Sequence, residues 1–136
     1  MKIKLNKELQ KKLDIFLENK NKKMQGLLKV LNLEYFTFSI EEMRLIETAY
    51  NQKEIPYDYI YIYIGEAVIN ISKGWWSIGK FKKDESYGHP IVLGWGIDNA
   101  SPRIFPDDWI YRIEKCLSGE ILENMFSRLA RYIHHK

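Results

Sequence analysis

One segment limits the possible folds more than any other: Tyr57 to Ile71, the longest apolar stretch, set between Pro56 and Gly74. Tyr57, Ile60, Tyr61, Ile64, Ala67, Val68 and Ile71 recur at the spacing of one helix face, while Ile60, Ile62 and Ile64 also alternate as a strand would. The β-branched and aromatic composition leans towards strand. Length tips the balance the other way, because strands usually run about 3–10 residues. Pro56 suits a first helical turn and Gly74 a helix end, so a helix over 57–73 is expected. It interrupts its apolar run with Asp58, Glu66 and Asn70, and no stretch reaches the roughly 18 apolar residues of a bilayer span.

Shorter patterns flank this segment. A first helix is expected after Asn6, whose side chain can cap free N–H groups, with Leu9, Leu13, Phe16 and Leu17 on its stripe. Asn19-Lys20-Asn21-Lys22-Lys23 interrupts the stripe before Met24, Leu27, Leu28 and Leu31 resume it, which fits one long helix or two with a polar joint. Glu34-Tyr35-Phe36-Thr37-Phe38 reads as a short strand or an extended connector. Ser39-Ile40-Glu41-Glu42 is a capping box, in which Glu42 would reach back to the N–H of Ser39. A helix over 40–51 follows, with Met43, Ile46 and Tyr50 inward.

Trp75 to Phe81 and Pro90 to Trp95 read as two strands of an antiparallel hairpin, joined by the polar loop Lys82 to His89. Gly96 to Arg103 has loop chemistry. Pro106-Asp107-Asp108 offers a helix start with two carboxylates as caps, and Trp109, Ile113 and Cys116 or Leu117 would form the inner face. Ser118-Gly119 breaks that helix, and a last one carries Leu122, Met125, Phe126, Leu129 and Ile133. The expected class is α+β: a single domain over 1–136, helices flanking a small antiparallel sheet, with a lysine-rich helical segment (about 1–32) packed on it.

Composition narrows the function classes. With 46% hydrophobic and 29% charged residues, the chain has the make-up of a folded domain rather than a disordered one. Cys116 is the single cysteine, so no intramolecular disulfide can form and an oxidising compartment brings no advantage; the cytoplasm is expected. After Met1-Lys2-Ile3-Lys4 the chain stays charged, unlike a signal peptide. Charge is uneven: residues 1–30 hold nine lysines against Glu8, Asp14 and Glu18, a net of +6, and the remainder is −3. A basic arm of this kind meets nucleic acid, anionic lipid or an acidic partner, or is simply a solvated helix face.

Few residues suggest chemistry. His134 and His135 point in different directions at a chain end and read as solvated tail. His89 is preceded by Asp84, Glu85, Ser86 and Tyr87, and a carboxylate near an imidazole could orient it for general-base work or share a metal ion; the spacing matches no metal motif. Cys116 reads as a small hydrophobe. The serines form no nucleophile elbow, and Gly94-Trp95-Gly96 is no phosphate cradle. No metal and no cofactor is expected, and no catalytic residue is assigned. Trp75, Trp76, Lys80, Phe81, Lys82, Lys83 and Tyr87 are the parts of a single-strand nucleic acid surface, without the signature of a known module.

Gly65-Glu66, Gly74-Trp75-Trp76, the opening Gly88-His89-Pro90-Ile91-Val92 and the Pro-led helix with Trp109 together resemble small uncharacterised bacterial proteins of the polymorphic-toxin immunity type, over residues 57–117. That resemblance implies a cytoplasmic protein that binds a cognate toxin and blocks it, with no catalytic residues of its own. The candidate binding residues are Lys82, Lys83, Asp84, Glu85, Tyr87 and His89 of the hairpin loop. The rival expectation is a nucleic-acid-associated or regulatory protein that uses the basic first helix.

Overall fold

A computed structural model describes residues 5–96 and 103–134, and among these the chain is α+β. Its elements in order are α1 (Lys7–Leu31), α2 (Ile40–Asn51), α3 (Tyr57–Ser72), β1 (Trp75–Ile78), β2 (Pro90–Leu93), α4 (Pro106–Cys116) and α5 (Ile121–His134). Most of the loop expected over 96–103 lies outside the described residues, as do Met1 to Lys4 and His135.

The segment that satisfied two templates is a helix, and it is the hub of the molecule. α3 packs against α1, α2, α4, α5 and β2, with Ile60, Ile64, Ala67 and Val68 fully buried. Helix wins because enclosure on several sides rewards apolar residues at every phase of the turn, and the ladder is satisfied within the segment. Three of its four tyrosines reach polar partners on other elements: exposed Tyr57 donates to Asp107 of α4, and the buried phenols Tyr61 and Tyr63 donate to the carbonyl of Pro90 in β2 and, at 2.8 Å, to Glu42 of α2. α3 ends on Lys73, itself left-handed at φ 62°. Gly74 serves a different purpose, since a Cβ there would strike the carbonyl of Leu93 across the hairpin.

α1 is one uninterrupted helix, capped by Asn6, which accepts the N–H of Leu9 at 2.8 Å. The polar joint does not break it because Lys20 and Lys23 reach across to Glu66 and Asp58 of α3, at 3.2 and 2.9 Å. Glu34 to Phe38 is a connector. At its end the capping box is altered. Ser39 accepts the N–H of Glu42 at 3.2 Å, but Glu42 does not return to Ser39; it accepts the N–H groups of Thr37 and Phe38, both at 2.8 Å. Phe38 is left-handed (φ 54°), which turns two N–H groups toward one carboxylate. The rest of α2 clasps α5: Arg44 donates to Glu123 at 2.8 Å, and buried Glu47 accepts from the first turn of α5.

The hairpin is antiparallel, with Trp76 opposite Val92 and Ser77 opposite Ile91. Both strands are shorter than expected. After Ile78 the chain curls back, Gly79 donating to the carbonyl of His89 and receiving the N–H of Gly88, each at 2.9 Å. β2 stops before Gly94, which is left-handed at φ 71° and whose lack of a Cβ leaves room for the Trp75 ring. Trp76 lies across α3 at Gly65, donates its indole N–H to Glu66 at 2.7 Å and meets Phe16 edge-on. On the far side, Val92 and Ile104 exchange two bonds at 2.9 Å.

α4 and α5 bury Trp109, Ile110, Ile113, Leu122 and Leu129 as their periodicity requires. The expected inner positions Cys116 and Leu117 are instead exposed, because α4 ends at Cys116 and Leu117 turns the chain at φ 52°. Asp107 and Asp108 are not side-chain caps of α4; they receive Tyr57 and Arg103.

Candidate functional site

Where α1, α3, the hairpin loop and the start of α4 meet, a cleft of about 500 Å³ opens to solvent. Four aromatic side chains build its walls: Phe16 from α1, Tyr57 and Tyr61 from α3, and Phe105 just before α4. Ile62 and Pro90 complete the apolar lining, and Lys23, Asp58, Glu85, His89 and Asp107 provide the polar groups.

The local sequence explains each wall. Tyr57 and Tyr61 are one helical turn apart, so their rings stand together, with centroids 5.7 Å apart. Phe105 is held by the pairing at Ile104 and the start of α4 at Pro106, and it meets Tyr61 edge-on at 6.4 Å. His89 closes the loop by donating its N–H to the carbonyl of Ser86 at 2.8 Å, and its ring stacks on Phe105 with centroids 6.0 Å apart.

Electrostatics around the cleft are set by carboxylates. Asp58 pairs with Lys23 at 2.9 Å, Asp107 accepts the Tyr57 hydroxyl, and Glu85 is exposed. Burial, reinforced by the bond to Asp107, pushes the Tyr57 phenol well above its ordinary value, and burial does the same to Tyr61. Both hydroxyls therefore remain protonated donors. The walls can enclose a flat or aliphatic group, and the rim can meet charge.

The loop residues expected to bind are divided by the structure. Glu85 and His89 line the cleft, whereas Lys82 is exposed elsewhere, Lys83 lies with Asp84 at another groove and Tyr87 packs against the core. Asp84 lines a separate groove with Ile78 and Ile91. The pairing of Asp84 with His89 does not form, since Asp84 holds Ser86 and takes a forked bond from Arg103, at 3.1 and 3.2 Å. Those bonds, from Ser86 first and Arg103 second, hold its carboxyl at about 2. Among the described residues no three metal-binding side chains come together. Trp76 is buried and so offers no face to a base.

Sequence reading missed Phe16, Lys23, Tyr57, Asp58, Tyr61, Phe105 and Asp107 as one site. A signal existed in α3, where tyrosines recur in an isoleucine-rich helix and each hydroxyl needs a partner. No family model matches the chain, and no curated protein or solved structure is found to be similar to it. No helix of the described residues is long and apolar enough to cross a membrane.

Proposed function

We propose that this chain is a non-catalytic, cytoplasmic protein-binding protein of the immunity type, which neutralises a cognate bacterial toxin by engaging it at the aromatic cleft. The observation that supports this reading is the way the cleft is held. Its walls come from separate elements and are fixed before any partner arrives, Tyr57 and Tyr61 by hydroxyl bonds and Phe105 by the pairing beside it. Pre-organised aromatic surface loses little freedom on binding and is typical of the centre of a protein interface.

The basic helix supports the nucleic acid alternative less well. Lys20 and Lys23 are engaged with Glu66 and Asp58, which leaves Lys7, Lys11, Lys12, Lys22 and Lys29 as the exposed charges of that helix. The test is co-expression with the product of the adjacent gene, followed by co-purification and a growth assay, with DNA and RNA binding measured in parallel at two salt concentrations. Rescue of growth that is lost on changing Tyr57, the exposed ring of the cleft, to alanine, with the fold intact, is the expected result. Salt-sensitive nucleic acid binding, abolished by glutamate at Lys11, Lys12 and Lys22 and with no protein partner found, would replace this reading.

A further inference from the structure

We infer that the cleft takes an arginine side chain presented by the protein partner, with the guanidinium lying against the exposed ring of Tyr57 and bonded to the carboxylates of the mouth. The inference rests on the protein-binding reading above and names the chemistry of the contact. Around the cleft the carboxylates Asp58, Glu85 and Asp107 face a single ammonium, Lys23, so the mouth is negative in a chain whose net charge is +3. Lys23 is already matched by Asp58. Tyr57 occupies one oxygen of Asp107, and Glu85 has no hydrogen bond among the described residues. A ligand cation would therefore find acceptors unspent.

The protein already shows the same recognition internally, a few ångströms away. Arg103 lies with its guanidinium carbon 5.2 Å from the centre of the Phe105 ring and donates to Asp84 at 3.1 and 3.2 Å and to Asp108 at 3.0 Å. Phe105 is shared by that arrangement and by the cleft, whose lining carries two further carboxylates, Asp107 and Glu85. A planar guanidinium suits both an aromatic wall and a pair of carboxylates, whereas an ammonium offers neither stacking nor a fork. Arginine is also among the residues that most often anchor protein interfaces.

The experiment is an NMR titration of the full chain with capped peptides of equal length centred on arginine, lysine, glutamate or leucine. The arginine peptide is expected to shift the resonances of His89 and Tyr57, the lysine peptide to do so more weakly, and the glutamate peptide to leave them in place. Glu85→Gln combined with Asp107→Asn should weaken the arginine peptide about tenfold, while Lys82→Ala, outside the cleft, should leave it unchanged. Glu85→Lys alone provides a variant at an exposed position, where substitutions usually change stability little, and it should weaken binding as well. Equal binding of the leucine or glutamate peptide, or no shift with any peptide, would overturn the inference. A protein partner that binds the Glu85→Lys variant as tightly as the parent would also sink the arginine contact and leave the protein-binding reading standing. Failure to find any protein partner for the parent chain would instead sink that broader reading.

Discussion

Glu47, in the middle of α2, accepts the backbone N–H of Leu122 at 2.7 Å, so one helix supplies the N-terminal cap of another. Its second oxygen takes the N–H of Ile121 at 3.2 Å, and the side chain is fully buried. A helix start leaves N–H groups without intrahelical partners, and here a distant residue satisfies two of them. Glu47→Ala should therefore cost about 2–4 kcal/mol, since it strands buried donors as well as losing charged hydrogen bonds. Glu47→Gln, which keeps one acceptor, should fall between. Urea unfolding followed by circular dichroism measures both, and a loss under about 0.5 kcal/mol for the alanine variant would contradict the cap.

Gly65→Ala sets two effects against each other. Alanine is the better helix former by about 1 kcal/mol. A Cβ at that position, however, would strike Cη2 and Cζ2 of the Trp76 ring, and displacing a packed indole costs about 1–3 kcal/mol. The packing term should win, giving a lower melting temperature and a red-shifted tryptophan emission. A more stable variant with unchanged emission would mean that the indole does not rest on α3.

Leu117→Gly is expected to stabilise the protein by about 0.5–1 kcal/mol, because a leucine in the left-handed region is strained by more than the entropy that glycine costs. The leucine side chain is 67% exposed, so little packing is lost. Leu117→Ala, which keeps the Cβ and its strain, should show no gain. Paired thermal melts of the two variants separate the backbone effect from the loss of an exposed apolar side chain.

Acid should weaken the hairpin loop first. Asp84 has its carboxyl depressed from 3.8 to about 2 by Ser86 and then Arg103, so its contribution to stability is complete above pH 4 and disappears as pH falls through 2. Parent and Asp84→Asn should differ by a constant amount at neutral pH and converge near pH 2. A difference that persisted undiminished at pH 2 would show that the carboxylate charge is not what holds Arg103.

The parts of the fold that could be read from the sequence are those that depend on local patterns. Leu122, Met125, Phe126 and Leu129 recur regularly enough to define α5, and Pro106 marks the start of α4. Helix ends were less legible, because glycine was expected at left-handed positions that Lys73 and Leu117 occupy. Glu42 reads as a local capping residue and Glu47 looks like a solvated position of an amphipathic helix, and only the placement of Thr37 and Leu122 makes them buried acceptors of other segments. The cleft was hidden for a related reason. Phe16, Tyr57, His89 and Phe105 are far apart in the chain, whereas the consecutive loop residues Lys83, Asp84 and Glu85 look like a cluster and yet only Glu85 reaches the cleft, the other two lining a separate groove.

Since α3 lies among the other elements and its hydroxyls reach α2, β2 and α4, withdrawing it would leave no partly assembled remainder with a closed apolar interior. Its slowest-exchanging amides should therefore open only when the whole chain unfolds, and those of α1, α4 and the strands should share that ceiling rather than set lower ones of their own. A protein built around a central helix in this way has one melting unit. A substitution anywhere along α3 should accordingly shift the midpoint of a single transition and leave its cooperativity intact.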